Sequence, residues 1–347
     1  MKYSLIIPVY NRPDEVDELL QSLVVQTCSD FEVVIVEDGS TETCESVVNR
    51  YADKLSLKYF RKDNEGPAKA RNYGAEHSQG EYLIVLDSDC VLPTGYLQAI
   101  EDELAKSPAD AWGGPDRAHS SFTPVQKAIS YSMTSFLTTG GIRGGRKQMD
   151  KKFYPRSFNM GIRSSLYASL GGFSDMRFGE DIDFSIRIYE SGARCRLFPE
   201  AWVWHKRRTD MRKFFKQVHN SGIARINLNK RHPGTLKLVH LLPAVFTVGV
   251  CALIALFLFS LTVIVLSDKS AGLCGVALSL APLLLFSLLV FADSSVRNRS
   301  VRIGVLSVLA SFVQLIGYGT GFIRAWWQRC VCGKNEELQA FKDNFYK

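Results

Sequence analysis

The first 90 residues alternate short apolar runs with segments of helical periodicity. Runs rich in Val, Ile and Leu predict buried strands at residues 3–9, 31–36 and 81–86. Apolar positions at helical spacing predict helices at residues 13–26, 41–51 and 67–77. Strands that alternate with helices indicate βαβ units, so we predict an α/β domain with a mainly parallel sheet.

The last third of the chain is apolar almost throughout. Its three long runs without Lys, Arg, Asp or Glu lie at 238–266, 271–292 and 303–323. Only seven of the 87 residues from 237 to 323 are charged, whereas 22% of the whole chain is charged. Each run reaches the ~20 residues that a helix needs to cross a membrane. Core helices of soluble domains are rarely so long and uncharged, so we predict about three transmembrane helices within 237–323, followed by a tail at 324–347.

The charges around these runs predict the orientation. Residues 1–13 lack the pattern of a signal peptide, because their apolar stretch is short and is interrupted by Pro8. We therefore expect a multi-pass membrane protein with its polar two-thirds on the cytoplasmic face. Basic residues before the first run and within 293–302 fit the positive-inside rule. Basic residues also follow the third run, where three full crossings would put the C-terminus outside; a re-entrant or interfacial segment would remove that conflict.

A basic stretch precedes the apolar runs. Nine of residues 206–231 are Lys or Arg and one is acidic, and Phe214, Phe215 and Val218 are interleaved with them. This pattern predicts an amphipathic interfacial segment at 206–236 that binds anionic membrane lipid, so that the α/β domain covers 1–205. We therefore attribute the net charge of +7 to binding of a membrane surface, and we expect no nucleic-acid partner.

Polar residues follow each predicted strand of the α/β domain. They are Pro8, Val9, Tyr10 and Asn11 after the first strand, Asp38 after the second, and Asp87, Ser88 and Asp89 after the third. Ligands of parallel sheets bind at the carboxyl ends of the strands, so these residues form the candidate site. The sequence has neither the G-x-G-x-x-G turn of dinucleotide-binding enzymes nor a P-loop.

Further charged residues extend the candidate site. Asp87 and Asp89 suit a divalent cation on a diphosphate, because Mg²⁺ takes carboxylate and phosphate oxygens as ligands. Lys69 and Arg71 lie on a helix that begins at a glycine-containing turn, which suits an anionic ligand. His205 ends an apolar run and is a candidate metal ligand, although a lone histidine is more often structural.

A second acidic group begins a predicted helix. Glu180, Asp181 and Asp183 lie where a turn leads into a helical pattern. Acidic residues at a helix start can simply cap it, but three carboxylates are more than capping requires. We therefore treat this group as a candidate for acid–base chemistry.

These motifs, in this order, resemble those of the family 2 inverting glycosyltransferases over about residues 2–225. The motifs lie at 8–11, 36–40, 66–72, 87–89, 159–161, 171–173 and 180–181. The resemblance implies a GT-A catalytic domain, which is Rossmann-like with a mainly parallel sheet, followed here by about three transmembrane helices.

The resemblance also implies roles for individual residues. Those that would bind the nucleotide-sugar donor are Pro8, Val9, Tyr10, Asn11, Asp38, Lys69, Arg71, Asp87 and Ser88. Asp89 would bind a divalent metal, Mg²⁺ or Mn²⁺, and His205 would join it as in some members of the family. Asp181 would be the catalytic base. Those that would orient the base or the acceptor are Glu180, Asp183, Asn159 and Gly161.

The implied activity is metal-dependent, inverting transfer of one sugar to a membrane-associated acceptor. A lipid-linked saccharide is the expected acceptor, in the synthesis of a cell-surface polysaccharide or glycolipid. The Q-x-x-R-W motif of processive synthases is missing at residues 217–220, which favours transfer of a single sugar. Two alternatives stay open: a polyprenyl-phosphate glycosyltransferase that uses the lipid phosphate itself, and a non-catalytic membrane scaffold, against which the intact acidic motifs argue.

Overall fold

The structure is a computed structural model that describes residues 1–117, 122–140, 153–176, 178–206, 209–266 and 269–338. The chain divides into two compact units. The first comprises Met1–Ser120 and Arg146–Lys206, with Tyr346–Lys347, and the second comprises Ser121–Gly145 and Arg207–Phe345. The division near residue 206 lies close to the predicted boundary, but the sequence did not indicate that Ser121–Gly145 groups with the C-terminal helices. Residues 207–208 and the end of the predicted tail, 339–347, lie outside the described residues.

Among the described residues, the strands all belong to the first unit. They are β1 (Tyr3–Val9), β2 (Phe31–Asp38), β3 (Leu57–Lys62), β4 (Tyr82–Leu86), β5 (Cys90–Val91), β6 (Ala111–Gly113), β7 (Asp116–Arg117), β8 (Asn159–Arg163), β9 (Cys195–Leu197) and β10 (Val203–His205). The α-helices are α1 (Pro13–Val24), α2 (Glu45–Asn49), α3 (Pro67–Glu76), α4 (Tyr96–Lys106), α5 (Pro124–Thr134), α6 (Phe136–Thr139), α7 (Ser164–Ser169), α8 (Glu180–Glu190), α9 (Met211–Arg231), α10 (Leu242–Leu266), α11 (Lys269–Asn298) and α12 (Val301–Trp326). A 3₁₀ turn at Leu238–His240 precedes α10, and a π-helical turn at Trp327–Val331 extends α12.

The main sheet has seven strands in the order β3-β2-β1-β4-β8-β6-β9. Strands β3, β2, β1 and β4 are parallel, β8 is antiparallel to both of its neighbours, and β9 is parallel to β6. The predicted α/β fold with a mainly parallel sheet is thus confirmed. A second sheet has the order β5-β10-β7 and joins the segment after β4 to the end of the first unit.

Helices cover both faces of the main sheet, which explains why its central strands β1, β2 and β4 are buried at nearly every position. Leu5 and Ile7 of β1 belong to the core on the side of α1, where Leu19 is buried. Ile6, between them, belongs to the core on the opposite side, with Phe184 of α8. Successive side chains of a strand point to opposite faces, so a strand covered on both sides has no position for a solvent-facing residue.

Gly161 in β8 leaves no room for a side chain. A Cβ atom at this position would lie 2.0 Å from Cε2 of Trp112, which is fully buried. We therefore expect Gly161→Ala to lower the free energy of unfolding by about 1–3 kcal/mol, the usual cost of overpacking a core. Thermal unfolding of both proteins measures this difference. Gly95→Ala is the matched control, because a Cβ at Gly95 meets nothing within 4 Å; equal losses in the two variants would refute the packing argument.

The second unit contains the three apolar segments. Leu238–Leu266, Lys269–Asn298 and Val301–Val331 are each long and apolar enough to cross a membrane. They contain the three predicted runs, with longer helices in the second and third cases. Helices α10 and α11 form an antiparallel hairpin, in which Phe246 lies 5.2 Å from Phe286 between ring centroids and Gly272 approaches Ile264.

Helix α9 occupies most of the predicted interfacial segment. Its apolar residues Phe214 and Val218, expected on lipid, are instead buried with Ile303 and Ala310 of α12. Protein therefore covers the apolar face of this basic helix. The physical reason is that α12 offers a neighbouring apolar surface within the same unit, a partner that the sequence pattern of α9 alone does not reveal.

Candidate active site

The small sheet brings Asp89 and His205 together. Cys90 in β5 pairs with His205 in β10 across the antiparallel ladder, so the residue before Cys90 lies next to the histidine. Nε2 of His205 is 3.2 Å from Oδ1 of Asp89 and 4.0 Å from Oδ2 of Asp87. The ring of Phe158 stacks on His205 with 4.9 Å between centroids, which fixes the orientation of the imidazole.

The donor set around Asp89 fits a divalent metal. Ligand atoms of Asp89, Cys90 and His205 lie within 4.8 Å of one another, and a carboxylate oxygen with an imidazole nitrogen suits Mg²⁺ or Mn²⁺. The Cys90 thiol is fully buried, and burial raises its pKa well above the usual range, so it stays neutral. Asp89 and His205 are therefore the two residues of this group that suit a hard cation.

Arg12 is a site residue that the sequence reasoning missed. Its Nη1 donates a hydrogen bond of 3.1 Å to Oδ2 of Asp89, on the side away from His205. Arg12 directly follows Asn11 in the turn after β1. Its position next to a predicted donor-binding residue was the signal that could have identified it.

Arg71 links the D-x-D motif to the acidic start of α8. Nη2 of Arg71 donates to Oδ1 of Asp87 and Nη1 donates to Oε1 of Glu180, each at 2.9 Å. The guanidinium is 5% exposed, and Arg71 comes from α3, so three separate segments meet at one buried cation. The planar guanidinium, with N–H donors in a fixed arrangement, bridges the two carboxylates in a way that the single ammonium of lysine does not reproduce.

Burial, together with the nearby charge of Asp181, raises the pKa of Glu180 to about 7, although Arg71 attracts the ionised form and opposes the rise. The folded state therefore holds a proton between pH 4.5 and pH 7 that the unfolded chain releases, so stability falls as the pH rises through that range. The shift corresponds to about 3 kcal/mol. We expect the Glu180→Gln variant to lack this pH-dependent fall in stability. Thermal unfolding of the wild type and the variant at pH 5 and pH 8 measures the difference. A stability difference that does not change with pH would refute the expectation.

Asp181 lies at the start of α8 with a second unpredicted arginine. Its Oδ2 is 3.1 Å from Nε of Arg156, and its Oδ1 accepts a 2.8 Å hydrogen bond from the backbone N–H of Ile182. The carboxylate is 16% exposed. The sequence offered no signal for Arg156, because it lies in a segment without periodicity, 25 residues before its partner.

Asp38 is nearly buried at the end of β2. Its carboxylate accepts hydrogen bonds from the backbone N–H groups of Glu65 and Gly66, at 2.9 Å and 2.8 Å, and forms an ion pair with Lys62. The N–H groups belong to the turn that leads into α3, where Gly66 has φ 99°, a conformation that favours glycine. Asp38 thus orders the turn before Arg71; its predicted contact with the nucleoside stays a prediction.

Asn11 joins the turns after β1 and β2. It has φ 51°, in the left-handed region, and its Oδ1 accepts hydrogen bonds from the N–H groups of Thr41 and Glu42. Pro8 and Val9 lie in β1 and Tyr10 follows them, so the predicted run ends at the carboxyl edge of the sheet beside the segment that carries Asp38. Its role in donor binding is untested.

The other predicted residues occupy varied places. Lys69 is 45% exposed and pairs with Glu65, whereas Ser88, between the two aspartates, is buried. Asp183 is buried and accepts hydrogen bonds from Ser174 and Arg187. These contacts hold the segment before α8, a structural task that does not test the predicted orienting role.

Two more predicted residues lie in the main sheet. Oδ1 of Asn159 accepts from the hydroxyl of Tyr96 at 2.6 Å, and its Nδ2 donates to the carbonyl of Ala201 at 2.8 Å. Gly161, which has no side chain, leaves the space that the ring of Trp112 occupies, as described above. Both contacts serve the interior of the domain, and an acceptor-orienting role for either residue stays a prediction.

Residues 4–171 match the model of the family described as Glycosyl transferase family 2. An uncharacterized glycosyltransferase of Haemophilus influenzae is 32% identical over 200 residues, which cover 54% of this chain and 62% of that protein. Poly(ribitol-phosphate) beta-N-acetylglucosaminyltransferase TarS of Staphylococcus aureus is 40% identical over 93 residues, which cover 26% of this chain and 16% of that protein. The chain thus spans less than two thirds of the length of these relatives.

The fold has a counterpart among solved structures. Mannosyltransferase PcManGT from Pyrobaculum calidifontis, in complex with GDP-Man and Mn²⁺, has a TM-score of 0.56 and 17% sequence identity, over 94% of this chain and 88% of that chain. At this identity the likeness concerns the fold alone. The family match shows that residues 4–171 belong to a family 2 glycosyltransferase domain. The likeness to PcManGT and the mainly parallel sheet show that the fold of this domain is of the GT-A type.

Proposed function

We propose that the protein transfers a single sugar, with inversion, from a nucleotide-sugar donor to a membrane-associated acceptor. Asp181 is the catalytic base in this proposal, Asp87 contacts the nucleotide, and Asp89 with His205 holds a divalent metal. The reaction takes place on the cytoplasmic face of a membrane.

The ion pairs of Arg71 are the observation that carries the proposal. They tie Asp87 of the D-x-D motif to Glu180, the residue next to Asp181, at 2.9 Å on each side. His205 lies 4.0 Å from the other oxygen of Asp87. In one transfer reaction, the base and the metal-binding pair must both lie near the sugar–phosphate bond that breaks. The contacts from His205 through Asp87 and Arg71 to Glu180, next to Asp181, support that arrangement.

The protein's own groups account for the proton transfer. Asp181 accepts the proton from the acceptor hydroxyl while the oxygen of that hydroxyl forms a bond to the anomeric carbon. The bond from that carbon to the phosphate oxygen breaks on the opposite face, and the nucleoside diphosphate leaves. The Ile182 N–H holds one oxygen of Asp181 in place, and Arg156 faces the other at 3.1 Å.

The metal has a defined place in the proposal. Asp89 and His205 would hold it, and a bound Mg²⁺ or Mn²⁺ supplies positive charge that offsets the charge on the leaving diphosphate. The Mn²⁺ in the PcManGT complex supports the use of a divalent metal in this fold.

The acceptor is inferred from two observations. The apolar segments of the second unit are long enough to cross a membrane, which favours an acceptor held at the bilayer. The relative TarS is named for the transfer of N-acetylglucosamine to poly(ribitol-phosphate), which supports a role in polysaccharide synthesis. We therefore propose a lipid-linked saccharide as the acceptor and UDP-, GDP- or dTDP-sugars as the donor class.

The test is a donor panel on the full chain in detergent micelles. UDP-, GDP- and dTDP-sugars are supplied with Mg²⁺, with Mn²⁺ or with a chelator, and release of the nucleoside diphosphate is measured. Metal-dependent release from one donor class is expected, and release should increase when a lipid-linked saccharide is added. No release from any donor, under conditions where the protein is folded, would favour the scaffold alternative. Stimulation by polyprenyl phosphate instead would favour the lipid-phosphate alternative.

A further inference from the structure

Helices α9 and α12 of the second unit run side by side in backbone contact. A Cβ on Gly321 would lie 2.0 Å from the carbonyl oxygen of His219, and one on Gly317 would lie 2.6 Å from a methyl group of Val218. Further along, Asn227 accepts a 2.7 Å hydrogen bond from Arg329. From Gly317 to Arg329 the contact extends about 18 Å, more than half the thickness of a hydrocarbon core.

The shared surface of α9 and α12 includes polar contacts beside its apolar cluster, and α9 is basic. His219 lies 3.1 Å from the hydroxyl of Thr320, in addition to the Asn227–Arg329 bond. The cations of α9 are Arg212, Lys213, Lys216, Arg225, Lys230 and Arg231. Charged side chains along a helix are costly within lipid, so α9 does not lie at the depth of the hydrocarbon. Because the second half of α12 lies against α9, it does not lie at that depth either.

The hairpin of α10 and α11 is more apolar than α12 and is less covered by protein. Its most apolar stretches have mean hydropathies of 2.8 and 2.5, with 6% and 11% of their residues buried in protein. The corresponding stretch of α12 has a mean hydropathy of 1.7 with 39% buried. The surfaces of α10 and α11 are therefore apolar and largely without a protein partner among the described residues, as expected of helices surrounded by lipid.

A polar group marks where α11 leaves the apolar region. Asp293 accepts a 2.7 Å hydrogen bond from the hydroxyl of Tyr131 in α5 and a 2.8 Å hydrogen bond from Arg297. This group lies near the last turn of α11, just before α12 begins. The turn between α11 and α12 is thus on the water side, together with α5.

The exposed face of α12 has the composition of a membrane-surface helix. Val305 and Leu309 are exposed in its first half, and Trp326 and Trp327 are about half exposed near its end, next to Arg324. Tryptophan and basic residues are enriched at the boundary between lipid and water. This face suits the surface of a bilayer.

We propose that α10 and α11 cross the bilayer as a hairpin while α12 lies at the membrane surface on the side of α9, so that the chain crosses twice. Of the arrangements that the sequence left open, this one places Arg324, Arg329 and Lys334 on the same side as the basic residues before α10. The positive-inside rule then holds for every flank of the hairpin. The inference rests on the membrane location within the proposed function.

The chain carries its own reporters of this topology. Cys330 and Cys332, at the end of α12, are both exposed. Ser221 is exposed on α9, and Ser270 lies at the start of α11, next to the turn of the hairpin. Cys251 and Cys274 are exposed too, so the natural pair is tested in a Cys28→Ser/Cys251→Ser/Cys274→Ser background. The other variants are Ser221→Cys, Ser270→Cys and, as a second reporter for the end of α12, Lys334→Cys, each in that background with Cys330→Ser and Cys332→Ser added.

The experiment labels these proteins in spheroplasts with a membrane-impermeant maleimide, before and after permeabilisation. We expect the natural pair Cys330/Cys332 and Lys334→Cys to react from the same side as Ser221→Cys, and Ser270→Cys from the opposite side. Labelling of the natural pair from the side of Ser270→Cys would establish three crossings and overturn the proposal. Labelling of all positions from one side would overturn it too, because the hairpin would then not cross. Recovery of the protein in the soluble fraction would overturn the membrane location itself, a failure distinct from either result.

Discussion

Replacement of Asp181 by asparagine is expected to lower the turnover number for sugar transfer by about 10²–10⁴-fold, the usual contribution of a positioned general base. Asparagine has nearly the same shape, and its amide oxygen can still accept the hydrogen bond from Ile182. It cannot take a proton from the acceptor hydroxyl. Donor binding should survive, because Asp87 and the residues after β1 and β2 are unchanged.

Steady-state kinetics and calorimetric binding of the nucleotide sugar to the full chain separate these two effects. Glu190→Gln, at the exposed end of the same helix, is the control and should retain the wild-type turnover number. Comparable turnover in Asp181→Asn and wild type would remove Asp181 from the mechanism. Loss of donor binding in Asp181→Asn, with turnover lost in proportion, would assign Asp181 to the donor site instead.

Replacement of Arg71 by methionine is expected to have the largest effect on stability, a loss of about 3–5 kcal/mol in the free energy of unfolding. Methionine fills much of the same space but leaves both Asp87 and Glu180 without their shared cation. Removal of one partner from a buried ion pair is costly because the remaining charge stays desolvated. Transfer activity should fall as well, since the two acidic motifs lose their connection.

Unfolding by heat or denaturant, followed by tryptophan fluorescence, measures the loss. Arg61→Met is the matched control, because Arg61 is exposed on β3 and its replacement should cost less than about 0.5 kcal/mol. The double variant Arg71→Met/Glu180→Gln should recover part of the lost stability, since it removes one of the unpaired charges. If the double variant is as unstable as the sum of the two single variants, the ion pair is not the cause.

The central strands and first helices were predictable because their patterns are strong. Strand β1 spans Tyr3–Val9 as predicted, and α1 begins at Pro13 and buries the predicted apolar stripe. Helix α2 is shorter than predicted, at Glu45–Asn49. Strand β3 was not predicted, because it lies at the edge of the sheet, where its side chains are only partly buried and no apolar run is required.

The candidate site was predictable in part. The motifs at the strand ends were found because polar residues after buried strands stand out in the sequence. The partners of the acidic residues were not all found. Arg156, which pairs with Asp181, has no distinguishing local pattern, and only its position next to Asn11 marks Arg12, which pairs with Asp89. Arg71 was found, but as a donor-binding residue and not as the link between two acidic motifs.

The sequence by itself determined the fold class, the apolar segments and the set of acidic motifs, because each of these depends on residues within a few positions of one another. Only the tertiary structure decided which charges meet. Arg71 and Glu180 are 109 residues apart, and they meet through the placement of α3 and α8 on the sheet. It also decided that α9 and α12 cover each other, because burial between helices depends on the partner that the fold supplies and not on the periodicity of either helix alone.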